Sequence, residues 1–134
     1  MCGIAGAISF REDMRERTAA LREMQAVLRR RGPDQQGIFT AVHAGLVHTR
    51  LAVIDPEHGR QPMTVERAGE RFTIVYNGEL YNTAELRRAL EAAGETFETR
   101  SDTEVVLRAY AVWGAACVER CNGIFASPLL SNRF

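Results

Sequence analysis

Lysine is absent. All 17 basic residues are arginine, balanced by 17 acidic residues, so the net charge is zero. That balance excludes the basic footprint of a nucleic-acid binder or of a protein held to an acidic membrane. No apolar run approaches the ~20 residues of a membrane-spanning helix. The opening Met1-Cys2-Gly3-Ile4-Ala5-Gly6 has no basic stretch ahead of an apolar one and does not read as a signal peptide, so the cytoplasm is the expected compartment. Cysteines number three, an odd count that argues against a disulfide framework. Internal repeats, low-complexity tracts and a Gly-rich phosphate loop are also missing. What is present is 134 residues, 46% hydrophobic and 25% charged, which suits one domain with a real core.

The small apolar residues 2–9 predict a buried strand. Residues 15–30 predict a helix with Leu21, Met24, Val27 and Leu28 on one face, stopped by Arg31-Gly32-Pro33-Asp34. Strands are expected at about 36–42 and 45–54, a loop over 55–70, and a strong strand at 72–76. Asn82 with Glu85, and Ser101 with Glu104, have the spacing of capping boxes opening two helices. The first should bury Leu86, Ala89, Leu90 and Ala93 and end at Gly94; the second should run to Trp113 over Val105, Val106, Ala109 and Tyr110. A short strand near 96–99 and another from Gly123 to Ala126 complete a mixed α+β layer pattern.

Several residues carry potential chemistry beside a plainer structural reading. Cys2 is a small buried residue while Met1 precedes it. Without Met1, its thiol and its own α-amine share one carbon, and an amine of pKa ~8 can act as base for that thiol. Asn77-Gly78, between FTIVY and ELYN, reads first as a hairpin turn. The other reading is an oxyanion hole, from the Asn77 amide and the Gly78 N–H. Against the turn, ELYNTAEL runs straight into a helix cap. Asp102 falls in the first turn of its helix, where it could bind a ligand ammonium. Arg50, inside the apolar run Leu46 to Ile54, needs a carboxylate from Asp55, Glu79 or a ligand. Cys117 and Cys121 with His43, His48 and His58 do not make a zinc pattern. His48 reads as a packed strand residue, and Arg29-Arg30-Arg31 as a solvated helix end.

Taken in order, Met1-Cys2-Gly3-Ile4, Arg31-Gly32-Pro33-Asp34, His48-Thr49-Arg50-Leu51-Ala52-Val53-Ile54-Asp55, Gln61-Pro62-Met63, Tyr76-Asn77-Gly78-Glu79-Leu80-Tyr81-Asn82 and Ser101-Asp102-Thr103-Glu104 resemble the glutaminase domain of glutamine-dependent asparagine synthetases, class II amidotransferases with an N-terminal nucleophile. The resemblance covers residues 1 to about 126. It implies an αββα four-layer sandwich of the Ntn-hydrolase type, with L-glutamine as substrate. It implies Cys2 as nucleophile, and Asn77 and Gly78 as oxyanion hole. Arg50 is expected on the substrate carboxylate, Glu79 and Asp102 on its ammonium, and Leu51, Val53 and Ile54 lining the pocket. Ammonia would pass to an ATP- and Mg-dependent synthetase domain that amidates aspartate, with no cofactor or metal in this chain and no nucleic-acid or membrane partner. The alternatives left open are an amidotransferase with another ammonia acceptor, a non-catalytic glutamine-binding module, and an inert fragment stable as a homo-oligomer.

Residues 127–134, Ser-Pro-Leu-Leu-Ser-Asn-Arg-Phe, depart from the family pattern. They are expected to be a tail on a domain incomplete at its C-terminus, leaving an exposed sheet edge.

Overall fold

The computed structural model describes residues 1–52 and 57–133. Strand β3 (Ala44–Arg50) is buried along its whole length. It lies between β1 (Gly3–Ile8) and β2 (Gln35–Thr40), antiparallel to both. Because alternate side chains point to opposite faces, β3 must be covered twice. On one face, Val47 joins Met14 and Leu21 in a small core, and the Thr49 hydroxyl donates to the Leu28 carbonyl at 3.0 Å. This is the side of helix α1 (Thr18–Leu28), which starts after a 3-10 turn capped by Asp13. On the other face, the His48 ring meets the Tyr76 carbonyl of the next layer.

The expected apolar face of α1 is narrower than read. Leu21 is fully buried, but Val27 is 83% exposed and Met24 lies at the margin. At 3.6 residues per turn, Val27 sits about 120° round the helix from Leu21.

The third layer, after α1 and the β1–β3–β2 sheet, holds the sheet β4 (Met63–Arg67), β5 (Glu70–Ile74) and β8 (Leu129–Ser131), and the pair β6 (Asn77–Leu80) and β7 (Gly123–Ala126). Strand β4 lies within the stretch expected to be loop. Its turn to β5 is Ala68-Gly69, both at positive φ (51° and 78°), a two-residue hairpin whose twist suits an antiparallel pair. Ala-Gly lacks the Asn or Asp that advertises such a turn, so the sequence conceals it.

The hairpin expected at Asn77-Gly78 does not form. The chain bends after β5 and continues as β6, pairing Asn77 with Ala126 and Gly78 with Phe125. Gly78 is needed for close approach: a Cβ there would lie 2.3 Å from Phe125 Cβ and 2.4 Å from the Ile124 carbonyl oxygen. Residues 127–131, set apart in the sequence, run back along β5. Val75 N–H donates to the Pro128 carbonyl, Ser127 Oγ to the Val75 carbonyl, and β8 pairs with Phe72–Ile74. Pro128 takes part through its carbonyl, so its missing N–H does not break the contact, and β8 covers this edge of β5.

Helices α2 (Thr83–Ala92) and α3 (Asp102–Trp113) form the fourth layer. With Phe72, Ile74, Tyr76 and Leu80 from the strands, their Leu86, Leu90, Val105, Val106, Leu107 and Ala109 build the main core. Gly94, at φ 93°, follows the end of α2.

Two local expectations fail for related reasons. The Asn82 side chain does not cap α2; it accepts from Asn122 N–H and donates to the Arg120 carbonyl, tying the start of β7 to the start of the helix. The strand expected near 96–99 is absent because those backbone N–H groups bond elsewhere. Glu98 N–H, Thr99 N–H and the Thr99 hydroxyl all donate to the Glu104 carboxylate, which also takes Arg108 Nε at 2.8 Å. Ser101 does cap α3, accepting from Glu104 N–H at 3.3 Å.

Candidate active site

Residues from well-separated segments line one cavity of about 400 Å³: Cys2, Arg50, Asn77, Gly78, Glu79 and Asp102 among them, with Leu51 also in its wall. Val53 and Ile54, expected to line the same pocket, and Asp55, a candidate partner of Arg50, lie outside the described residues.

Cys2 immediately precedes β1, and its thiol faces the Leu51 carbonyl (3.7 Å) just beyond the end of β3. Its carbonyl accepts from Arg31 Nε at 3.2 Å, so Arg31 is more than a solvated helix end. The Arg31-Gly32-Pro33-Asp34 turn presses on the end of β3. A Cβ on Gly32 would lie 2.2 Å from the Thr49 carbonyl oxygen, so only glycine permits this approach. Asp34 then holds both sides of Leu51: its N–H donates to the Arg50 carbonyl at 3.0 Å, and its carboxylate accepts from Ala52 N–H at 2.8 Å.

Arg50 is 4% exposed and donates through Nη1 to Gln35 Oε1 at 2.9 Å. Gln61 connects two other walls, accepting from Tyr76 N–H at 2.6 Å and donating to Thr103 Oγ1 at 3.1 Å. It joins the bend before Asn77 to the start of α3. The sequence carries no local sign of the parts that Gly32, Asp34, Gln35, Gln61 and Thr103 play here. The Gly-Pro punctuation read only as a helix stop, and polar contacts between distant segments leave no local signal.

Asp102 is 7% exposed and sits at the N-terminus of α3, where the helix dipole favours an anion. Burial nevertheless pushes its carboxyl above the ordinary aspartate value, against the Leu80 and Thr103 N–H groups and the nearby Tyr76 hydroxyl, which oppose the rise. Leu80 N–H donates to it at 3.3 Å. A cation in the cavity would relieve that cost. Burial, and then the neighbouring Asp102 charge, push the Tyr76 hydroxyl upward in turn. Glu79 is exposed at the cavity wall.

The other two thiols are poor nucleophiles. Burial pushes Cys117 up to about 11 and also raises Cys121, whose thiol donates to the Cys117 carbonyl. The cavity thus pairs a thiol with carboxylates and a guanidinium, a set able to hold a zwitterion beside a nucleophile.

This layered fold and this cavity define a glutamine amidotransferase domain, and the chain belongs to that family: the family model described as glutamine amidotransferase domain matches residues 1–133. Among curated relatives, asparagine synthetase [glutamine-hydrolyzing] 3 of Bacillus subtilis is 46% identical over 94% of this chain. Asparagine synthetase [glutamine-hydrolyzing] 1 of Arabidopsis thaliana is 38% identical over 99% of it. The chain spans about a fifth of the length of these relatives, 20% and 22%. Two solved structures share the fold at a TM-score of 0.57 and 23% identity, each over 22% of its own length. They are an allosteric regulatory enzyme of purine biosynthesis, aligned over 69% of this chain, and glutamine phosphoribosylpyrophosphate amidotransferase from B. subtilis, over 68%. The architecture is accordingly a four-layer αββα sandwich. No helix among the described residues is long and apolar enough to cross a membrane.

Proposed function

We propose that this chain hydrolyses L-glutamine to glutamate and ammonia, with Cys2 as nucleophile once Met1 has been removed. The observation that carries the reading is the convergence of Cys2, Arg50, Asn77, Gly78, Glu79 and Asp102 on one cavity. Its volume is at the small end of ligand pockets, as suits an amino acid. Met1 lines the same cavity, so its loss both frees the α-amine and opens space beside the thiol.

Arg50 takes the substrate α-carboxylate, and Glu79 and Asp102 take its α-ammonium. The side-chain amide then lies beside Cys2. The α-amine accepts the thiol proton as sulfur attacks the amide carbon. The Asn77 side chain and Gly78 N–H stabilise the oxygen that becomes negative. The amine returns the proton to departing ammonia, leaving a γ-glutamyl thioester, which water cleaves to glutamate and free thiol. Leu51 shapes part of the pocket wall.

The names of the relatives, glutamine-hydrolysing asparagine synthetases, support a further step, in which ammonia reaches a synthetase domain that amidates aspartate; the cytoplasm is the compartment proposed for it. ATP and magnesium would serve the chemistry of that synthetase domain. An assay of ammonia release from glutamine, with mass spectrometry of the N-terminus, tests the reading. Turnover by protein lacking Met1, lost in Cys2→Ala, supports it; a chain that has lost Met1 yet releases no ammonia overturns it.

A further inference from the structure

His48 lies at the centre of the molecule, on β3, two residues before Arg50 and so on the same face of the sheet. It is fully buried, and neighbouring strands flank it on both sides, opposite Ile4 in β1 and Gly37 in β2. Its Nε2 lies 3.2 Å from the Tyr76 carbonyl oxygen. That oxygen can only accept, so Nε2 carries the proton and Nδ1 is bare; Nδ1 has no hydrogen-bond partner among the described residues. Burial, opposed by the Tyr76 carbonyl and helped by nearby Arg50, lowers the ring pKa to about 4, which keeps it neutral.

The Tyr76 carbonyl belongs to the peptide unit that leads directly into Asn77. The N–H of the same residue is held by Gln61 at 2.6 Å. Tyr76 is therefore gripped from both sides just before the Asn77-Gly78 corner, and the His48 contact joins the corner to the sheet that carries Cys2 and Arg50. A plain packing role would not need a polar ring whose second nitrogen goes unpaired. A leucine would fill similar space without that cost.

We propose that His48 is a positioning residue for the oxyanion hole: its Nε2–H sets the plane of the Tyr76–Asn77 peptide, and so the aim of the Asn77 amide and the Gly78 N–H at the reacting carbonyl. This rests on the glutaminase reading. The predicted signature is selective. Misaimed donors weaken stabilisation of charge that exists only in the transition state, so kcat falls while ground-state binding by Arg50, Glu79 and Asp102 holds KM.

The test compares His48→Leu and His48→Gln with the parent chain, with rates normalised to sites titrated by 6-diazo-5-oxo-L-norleucine at Cys2. A shift of up to about 1 Å in the donors costs about 10- to 100-fold in rate. His48→Leu is expected to lose that much kcat with KM for glutamine within about twofold. His48→Gln keeps an N–H donor and should recover most of the loss. Nitrogen NMR of the parent should show a protonated Nε2 and a bare Nδ1 through neutral pH, an outcome that holds whether or not His48→Leu folds. Unchanged kcat in His48→Leu, a KM rise matching the kcat loss, no advantage of Gln over Leu, or a ring protonated on Nδ1 would each overturn the role. A parent chain that lacks Met1 yet has no glutaminase activity would instead overturn the proposed function.

Discussion

Gly78→Ala is the sharpest local perturbation the structure offers. The added Cβ would lie 2.3 Å from Phe125 Cβ, 2.4 Å from the Ile124 carbonyl oxygen and 2.5 Å from Phe125 Cα. Two of these are backbone atoms and the third is fixed to the backbone, so no rotamer change relieves the clash. Strand β6 or β7 must move by about an ångström to restore ordinary contact. Overpacking of this kind costs typically ~1–3 kcal/mol, which for a domain of this size lowers Tm by roughly 3–12 °C. The larger effect falls on catalysis. The Gly78 N–H moves with the strand, and a shift of about 1 Å in a reacting constellation can cost on the order of 100-fold in kcat. Gly94→Ala is the control. Its Cβ meets nothing within 4 Å, but its φ of 93° is strained for alanine, so it should cost ~1 kcal/mol of stability and leave turnover intact. The assay is ammonia release at saturating glutamine beside a thermal melt. Gly78→Ala with kcat within twofold of the parent would refute both the close approach and the proposed donor.

Further predictions concern charge. Asp102→Asn should raise Tm at pH 7, because it removes a buried carboxylate whose pKa burial has raised. The difference should narrow as pH falls and Asp102 itself takes a proton, while KM for glutamine rises about tenfold or more from loss of a charged hydrogen bond. For His48 the folded pKa, about 4, lies below the ordinary 6.5. The unfolded chain therefore binds that proton first, and stability should fall as pH drops from 6.5 towards 4, by up to about 3 kcal/mol from this group. Urea melts across that range check it, and His48→Leu should flatten the slope. Glu104→Gln removes one of the two carboxylates on Arg108 (2.8 Å; Glu95 remains at 3.3 Å) and weakens the anchor of the 98–99 backbone, so the loss falls at the low end of the range for a broken buried pair. A loss of ~3 kcal/mol is expected in chemical denaturation, and an unchanged midpoint would count against the network.

The elements whose signals are local were legible in the sequence. Strand β3 is rich in β-formers, α2 stops just before Gly94, and Ser101 caps α3; each follows from residues within one turn or strand. The hidden pieces depend on partners far along the chain. Asn77-Gly78 has the composition of a turn, yet Gly78 answers to Phe125, 47 residues away. Asn82 has the position of a cap, but its amide is claimed by Arg120 and Asn122. Residues 96–99 look like a strand until the Glu104 carboxylate takes their N–H groups. At the site, Cys2, Arg50, Asn77, Gly78, Glu79 and Asp102 were candidates chiefly because the motifs, in order, resemble those of glutamine-hydrolysing asparagine synthetases; taken singly, most of them also have a plainer structural reading. Gln61, Asp34 and His48, whose contacts hold that constellation in place, could not be told from ordinary polar residues without coordinates.

Covalent capture at the cavity thiol tests the central claim most directly. The chain is treated with 6-diazo-5-oxo-L-norleucine, with and without glutamine, and its peptides are mapped by mass spectrometry. One adduct is expected, on Cys2 at a free N-terminus, suppressed by glutamine, with Cys117 and Cys121 untouched because burial keeps their thiols protonated. An adduct spread over all three cysteines, or labelling of Cys2 that glutamine does not slow, would contradict it.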